Sequence, residues 1–332
     1  MHRLTTLDLH VAGEPLRVVL SGFPEPMGHT ILEKRRSCQQ QYDHLRRALM
    51  WEPRGHPHMY GCLLVTPTTP SSDFGVLFFH NEGYSTMCGH GIIGVVTALL
   101  EARLVQWTEP TTTVKLDTPS GQVVATATIQ QHHIQKVSFR NVPSFASALD
   151  CVIDLPSVGC LHYDLAFGGA FYGFCRAADC GLELRPEQSR QLVDTAMSLK
   201  QAIAARHAIT HPHEPDLGFL YGIVWIGPPQ QAGVYRRHVC VFADGALDRS
   251  PTGTAVSAHL ALLHARQQIL PYQDVTFESI LGTCFTGRIV EQCREGEQSM
   301  IIPEVEGRAY ITGRHEFLLD PDDPLKEGFL LR

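Results

Sequence analysis

Cys88 stands directly before a glycine-rich, apolar stretch, and this position gives its thiol a chemical use. Gly89, His90 and Gly91 follow it, and apolar residues continue from there to Leu100. A segment that is apolar on nearly every side is typical of a buried helix. Free N–H groups and the positive dipole end at such a helix N-terminus can lower a cysteine pKa from about 8.5 to about 3.5–7.5. A thiolate there can act as a base or a nucleophile, although most cysteines are only small buried hydrophobic residues.

The same arrangement recurs in the second half of the chain. Cys240 to Phe242 reads as a short strand, and after a turn a small-residue stretch leads into an apolar segment that begins near Thr252. Val76 to Phe79 is the corresponding predicted strand before Cys88. Thr252 therefore corresponds to Cys88, and Asp248 lies in the loop before the second helix. The repeat joins Cys88, His90 and Asp248 in one candidate site.

Two buried helices surrounded by short, Thr- and Val-rich strands predict an α+β fold with two pseudo-equivalent halves. Symmetry places the first half at residues 1–145, completed by a C-terminal tail at 316–332, and the second at 146–315 with Asp248 and Thr252. The helix N-termini would face each other across a cleft. The predicted strands are 111–116, 122–129, 134–139, 219–226 and 288–290, and the further predicted helices are 41–50 and 186–207.

Composition excludes several classes of protein. The 332 residues are 44% hydrophobic and 18% charged, which suits a folded chain with a large core. A net charge of −7 without a basic run argues against nucleic-acid binding. The N-terminus is polar and no stretch approaches the roughly 18 apolar residues of a membrane helix, so we expect no membrane association and a cytoplasmic protein. Ten cysteines without a C-x-x-C pair argue against disulfides and zinc.

Three other kinds of site are weaker interpretations. Residues 89–94 match G-x-G-x-x-G, but the preceding strand ends ten residues upstream, which does not suit a dinucleotide site. The histidine runs at 56–58, 132–133 and 207–213 lack a recognisable ligand spacing, so we expect no metal. A serine hydrolase would need G-x-S-x-G, which the sequence lacks.

The sequence resembles the proline racemase family, and the resemblance covers nearly the whole chain. The family's two catalytic segments read approximately M-C-G-H-G and D-R-S-P-C-G-T. They stand here as residues 87–91 and 248–254, and further matching segments lie at 10–17, 52–56, 81–84, 167–172 and 307–313.

One residue departs from the racemase pattern. Racemases and 4-hydroxyproline epimerases of the family place a cysteine on each face of the substrate, and this chain has Thr252 at the second position. A threonine hydroxyl is a very weak acid or base without a dedicated partner. The Cys88 and Thr252 pairing resembles the branch that dehydrates trans-3-hydroxy-L-proline to Δ1-pyrroline-2-carboxylate. A 4-hydroxyproline 2-epimerase or proline racemase, or a non-catalytic imino-acid-binding protein, remains the alternative.

The resemblance also implies the fold and the residue roles. It implies a diaminopimelate-epimerase-like fold, each half a curved mixed sheet around a central helix, with no cofactor and a small imino acid as substrate. Family members are commonly homodimers. Cys88 would remove the α-proton, and its thiol is one candidate acid for the departing hydroxyl. Matching positions would bind the substrate carboxylate at Gly89, His90, Gly253 and Thr254, hold its ring nitrogen at His90 and Asp248, and form apolar walls at Tyr60 and Phe242.

Overall fold

The chain folds into two units, each built around one buried helix. The computed structural model describes residues 1–156, 158–296 and 298–331. The first unit comprises Met1–Phe139 and Arg308–Arg332, and the second comprises Arg140–Gly307. The first segment ends before the expected 145. The first unit resumes before the expected 316 because its last strand already begins at Ala309.

The first unit contains eight strands and three helices within the described residues. The C-terminal strand β17 pairs with β1, so the end of the chain completes the sheet that the beginning starts. The elements are β1 (His2–Val11), β2 (Glu14–Ser21), α1 (Ile31–Gln41), α2 (Asp43–Met50), β3 (Tyr60–Val65), β4 (Phe74–His80), α3 (Gly89–Glu101), β5 (Thr111–Thr118), β6 (Gly121–Gln130), β7 (His133–Arg140) and β17 (Ala309–Leu319).

The second unit repeats this plan. Two longer helices and several short 3-10 turns accompany its strands, and the second helix, α5, takes the place of α3. The elements are β8 (Phe145–Leu155), β9 (Gly159–Phe167), β10 (Phe171–Arg176), α4 (Ser189–Arg206), β11 (Leu220–Gly227), β12 (Arg236–Phe242), β13 (Ala246–Leu247), α5 (Gly253–Ala265), β14 (Val275–Glu278), β15 (Cys284–Glu295) and β16 (Gln298–Gly307).

Strand pairing shows that the halves are equivalent. In the first unit the strands pair in the order β17, β1, β2, β3, β4, β5 and β6, and the pairs are antiparallel except β2 with β3 and β4 with β5. In the second unit β8, β9, β10, β11, β12, β14 and β15 follow the same sequence of orientations. In each unit, both connections between parallel strands contain helices, and α3 and α5 lie in equivalent connections. The predicted α+β class with two pseudo-equivalent halves is therefore confirmed.

The central helices are buried because their sequences have no polar face. Every residue of α3 from Gly89 to Leu100 is buried, and so is every residue of α5 from Gly253 to Leu263. Gly94 lets α3 approach the sheet, since a Cβ there would lie 2.6 Å from a Leu16 methyl group and 2.7 Å from one of Leu9. A helix packed this closely gives its first turn a fixed position.

Candidate active site

Cys88 caps the N-terminus of the first central helix. Its backbone is extended (φ −146°, ψ 113°), and its Sγ accepts a hydrogen bond from the Gly91 N–H at 3.3 Å. The residue is 5% exposed, so its sulfur lies in a largely water-free environment. An N–H donor and the helix dipole both favour negative charge on this sulfur.

His90 places a titratable side chain against that sulfur. Its Nδ1 lies 3.2 Å from Cys88 Sγ, within hydrogen-bonding distance, and the imidazole is buried. The Tyr60 ring packs edge-on against it at 4.9 Å between centroids. Thus three of the predicted site residues, Cys88, His90 and Tyr60, lie together in the first unit.

Position 91 has no room for a side chain in this arrangement. A Cβ at position 91 would lie 2.4 Å from the Phe78 ring and 3.0 Å from Cys88 Sγ. Phe78 is fully buried on β4. The glycine therefore lets the helix start reach both the sheet and the sulfur.

The second segment has a different local geometry. The Asp248 carboxylate accepts hydrogen bonds from the Ser250 N–H and from Thr252 Oγ1, each at 2.7 Å. The Thr252 N–H in turn donates to Ser250 Oγ at 3.1 Å. Thr252 has φ +63°, an uncommon conformation for a β-branched residue, and this hydrogen-bond network holds it there.

The remaining predicted residues of the second unit surround this loop. Thr254 Oγ1 contacts the Tyr172 hydroxyl at 2.7 Å. Phe242 stacks on Tyr221 with 5.5 Å between ring centroids, and both rings are buried. Gly253 begins α5. Asp248, Thr252, Gly253, Thr254 and Phe242 are thus gathered at one end of α5 and the strands beside it.

The two helix starts differ in one chemically important way. The Cys88 side chain caps its own helix, whereas the Thr252 side chain makes no capping hydrogen bond to α5 and turns to Asp248 instead. A hydroxyl has one proton, and Thr252 directs it at the carboxylate, so Oγ1 presents lone pairs to any further partner. The first-turn N–H groups of α5 are therefore uncapped by Thr252 and suited to an anionic group.

Sequence reasoning missed several buried polar residues next to these segments. Ser85 Oγ contacts the Tyr60 hydroxyl, and Tyr172 contacts Thr254. His238 Nε2 and His259 Nδ1 lie 2.7 Å apart in the second unit. Tyr172 lies inside the matching segment 167–172, and Ser85 directly follows the segment 81–84, which was the available signal. The contact of His238 with His259 joins residues far apart in sequence and left no local pattern.

Two observations on the described residues concern membrane helices and metal ligands. Across 1–156, 158–296 and 298–331, no helix is both long and apolar enough to span a bilayer. In that same part of the chain, no three or more His, Cys, Asp and Glu side chains are grouped so that they could ligate a metal. The histidines at 56, 58, 132, 211 and 213 are found in loops and turns.

Known proteins with similar sequences include hydroxyproline enzymes. A relative from Colwellia psychrerythraea named trans-3-hydroxy-L-proline dehydratase is 45% identical over 329 residues, which cover 99% of this chain and 93% of the relative. One of the same name from Burkholderia ambifaria is 41% identical, covering 99% and 98%. A relative from Burkholderia multivorans named 3-hydroxyproline 2-epimerase is 40% identical with the same coverage.

A solved structure and a family pattern agree with these relatives. The crystal structure of a hydroxyproline epimerase from Agrobacterium vitis with bound trans-4-hydroxy-L-proline superimposes with a TM-score of 0.93 and 33% identity, covering 99% of this chain and 96% of that one. This likeness confirms the fold class expected from the resemblance. The pattern of the family described as proline racemase matches residues 6–330. The chain therefore belongs to the proline racemase family.

Proposed function

We propose that this protein is a trans-3-hydroxy-L-proline dehydratase that forms Δ1-pyrroline-2-carboxylate. The observation that carries the proposal is the pairing of one capped thiol, Cys88, with a threonine, Thr252, whose hydroxyl proton is directed at Asp248. Relatives that are 41–45% identical over nearly the whole chain and carry the dehydratase name support it.

The first step is removal of the α-proton by the Cys88 thiolate. The Gly91 N–H and the start of α3 stabilise the thiolate before the reaction, and burial removes the water that would compete for it. In trans-3-hydroxy-L-proline the hydroxyl lies on the same face of the ring as the α-hydrogen. A syn elimination therefore needs its base and its acid on one face.

The developing negative charge is stabilised at the substrate carboxylate. Removing a proton from the carbon next to a carboxylate delocalises charge onto its oxygens, and fixed N–H donors stabilise that charge. The first turn of α3, with Gly89 and His90, offers such donors in the first unit, and the first turn of α5, with Gly253 and Thr254, offers them in the second. Loss of the 3-hydroxyl then leaves an enamine, which tautomerises to the cyclic imine.

Asp248 and Thr252 are assigned to substrate binding. The substrate's ring nitrogen is a secondary ammonium with two N–H donors, and the Asp248 carboxylate and the Thr252 Oγ1 lone pairs are acceptors of matching kind. Because the Thr252 proton lies toward Asp248, the hydroxyl is poorly placed to return a proton to Cα. This assignment separates the protein from a two-thiol racemase.

A product assay tests the proposal. The enzyme is incubated separately with L-proline, trans-4-hydroxy-L-proline and trans-3-hydroxy-L-proline, and optical rotation is followed together with imine formation. We expect imine from the 3-hydroxy substrate alone. A change in rotation without imine would overturn the assignment.

A 3-hydroxyproline 2-epimerase is the second candidate, favoured by the 40% identical relative of that name. This reaction needs a second acid or base, and the Thr252–Asp248 contact is the place where one would arise. Thr252→Cys supplies the missing thiol. We expect this variant, and not the wild-type protein, to incorporate deuterium from D2O with inversion at Cα of a 4-hydroxyproline. Inversion by the wild-type protein would favour the epimerase instead.

A further inference from the structure

The syn elimination also requires an acid for the departing hydroxyl, and this inference rests on the proposed function. Hydroxide is a poor leaving group, so a proton must reach the C3 oxygen as its bond to carbon breaks. The oxygen leaves from the same face as the α-proton, next to Cys88. The acid is therefore sought among proton-bearing side chains of the first unit.

Two hydroxyl groups form a buried pair beside the Cys88 and His90 contact. The Tyr60 hydroxyl and Ser85 Oγ are hydrogen-bonded to each other, and the two residues are 3% and 1% exposed. The Tyr60 ring packs edge-on against His90, whose Nδ1 contacts Cys88 Sγ at 3.2 Å. The Tyr60 ring, which carries one of the two hydroxyls, thus contacts the imidazole that contacts the base.

Both hydroxyls are carried by residues whose backbone is held by β4. Tyr60 begins β3 and pairs with His80 of β4. Ser85 precedes the catalytic cysteine by three residues in the loop between β4 and α3, and its N–H donates to the Phe78 carbonyl at 3.0 Å. Groups held by a sheet and its hydrogen bonds keep the geometry that proton transfer requires.

The hydroxyl groups of Tyr60 and Ser85 argue against a role for these residues as an apolar wall alone. A wall needs only the aromatic ring, and phenylalanine would provide it without burying a hydroxyl group. Burying two hydroxyls is unfavourable unless each finds a partner, and here the partners are each other. A tyrosine and a serine buried together at this place therefore suggest a use for their protons.

We propose that the Tyr60–Ser85 hydroxyl pair is the general acid that protonates the departing 3-hydroxyl. The Cα–H and C3–O bonds break, a carbon–carbon double bond forms, and the α-proton moves to Cys88 Sγ. A proton from the pair joins the hydroxyl to form water. The enzyme then holds one additional proton on sulfur and one fewer on the pair, and exchange with solvent restores both.

Single-atom variants test this assignment. Tyr60→Phe and Ser85→Ala each remove only a hydroxyl, and Tyr163→Phe is the matched control because its hydroxyl is also buried but contacts His207 in the second unit. Each protein reacts with trans-3-hydroxy-L-proline in D2O. NMR then gives the amount of product and the deuterium at Cα of the recovered substrate.

The assignment predicts that proton removal and hydroxyl loss become uncoupled. Product formation should fall by about 10²–10⁴-fold in both test variants. The carbanion should return to substrate instead, so the ratio of Cα exchange to product should rise at least about tenfold, whereas Tyr163→Phe should match wild type.

Two results would overturn the assignment. An unchanged ratio would mean that the pair does not act in hydroxyl loss, and loss of both reactions in variants that melt like wild type would mean that it only supports Cys88. A wild-type protein that exchanges Cα–H without forming product would instead refute the proposed function itself.

Discussion

Gly91→Ala is expected to separate the position of the catalytic sulfur from the stability of the helix that carries it. The added Cβ would lie 2.4 Å from the buried Phe78 ring and 3.0 Å from Cys88 Sγ, so one or both must shift. Overpacking of this kind costs about 1–3 kcal/mol, while replacing glycine with alanine in a helix gains about 1 kcal/mol. The net loss of unfolding free energy should be about 0–2 kcal/mol.

Activity should fall far more than stability in this variant. The shift displaces the sulfur and weakens the 3.3 Å contact from the residue 91 N–H. A misplacement near 1 Å can lower a rate by about 10²-fold. Urea denaturation measures the unfolding free energy, and imine formation from trans-3-hydroxy-L-proline measures kcat/KM.

Gly94→Ala is the matched control for the same helix. Its Cβ would clash with the ends of the Leu9 and Leu16 side chains at 2.6–2.7 Å, and Cys88 Sγ is not among its nearest neighbours. We expect a comparable change in stability with kcat/KM within about threefold of wild type. Equal losses of activity in the two variants would refute the reasoning, because the effect would then come from helix packing alone.

Two further predictions concern the second unit. Burial lowers the pKa of His259 to about 3 and holds the pKa of His238 well below its ordinary value. Below about pH 6.5 the unfolded chain therefore binds more protons than the folded one. Each histidine should then lower the folding equilibrium constant about tenfold for each unit by which the pH falls. Urea titrations from pH 7 to pH 4.5 should show a shallower decline for His259→Gln, and identical slopes would contradict the burial argument. Thr252→Val removes the hydroxyl that donates to Asp248 at 2.7 Å, so kcat/KM should fall about 10–100-fold. Thr252→Ser keeps a hydroxyl and should retain most activity. Equal losses of activity in both variants would show that activity does not depend on the hydroxyl.

The internal repeat made much of the fold predictable. It located α3 and α5, because a strand, a turn and an all-apolar helix form a pattern that survives even where residue identities differ. The resemblance then identified Cys88, His90, Asp248 and Thr252 from their segments. Their contacts fit the chemistry expected of them.

Long-range contacts were the part that the sequence could not indicate. The sequence predicts that a C-terminal tail completes the first half, but no local pattern marks β1 as the strand with which that tail pairs. The 2.7 Å contact of His238 with His259 likewise depends on how α5 lies on β12. The positive φ of Thr252 is a further example, since a β-branched residue gives no local reason to expect it.

The G-x-G-x-x-G match illustrates how packing settles an ambiguous motif. In this fold Gly91 makes room for Phe78 and the Cys88 sulfur, and Gly94 makes room for two leucines of the sheet. The glycines are thus explained by close approach of α3 to its surroundings.

The central claim is that the Cys88 thiolate removes the α-proton, and Cys88→Ser tests it most directly. Cys293→Ser is the control, because that cysteine lies on β15 and is also a free thiol. With trans-3-hydroxy-L-proline, we predict that imine formation by Cys88→Ser falls at least about 10²-fold with an unchanged melting temperature, while Cys293→Ser behaves as wild type. Near-wild-type imine formation by Cys88→Ser would contradict the account.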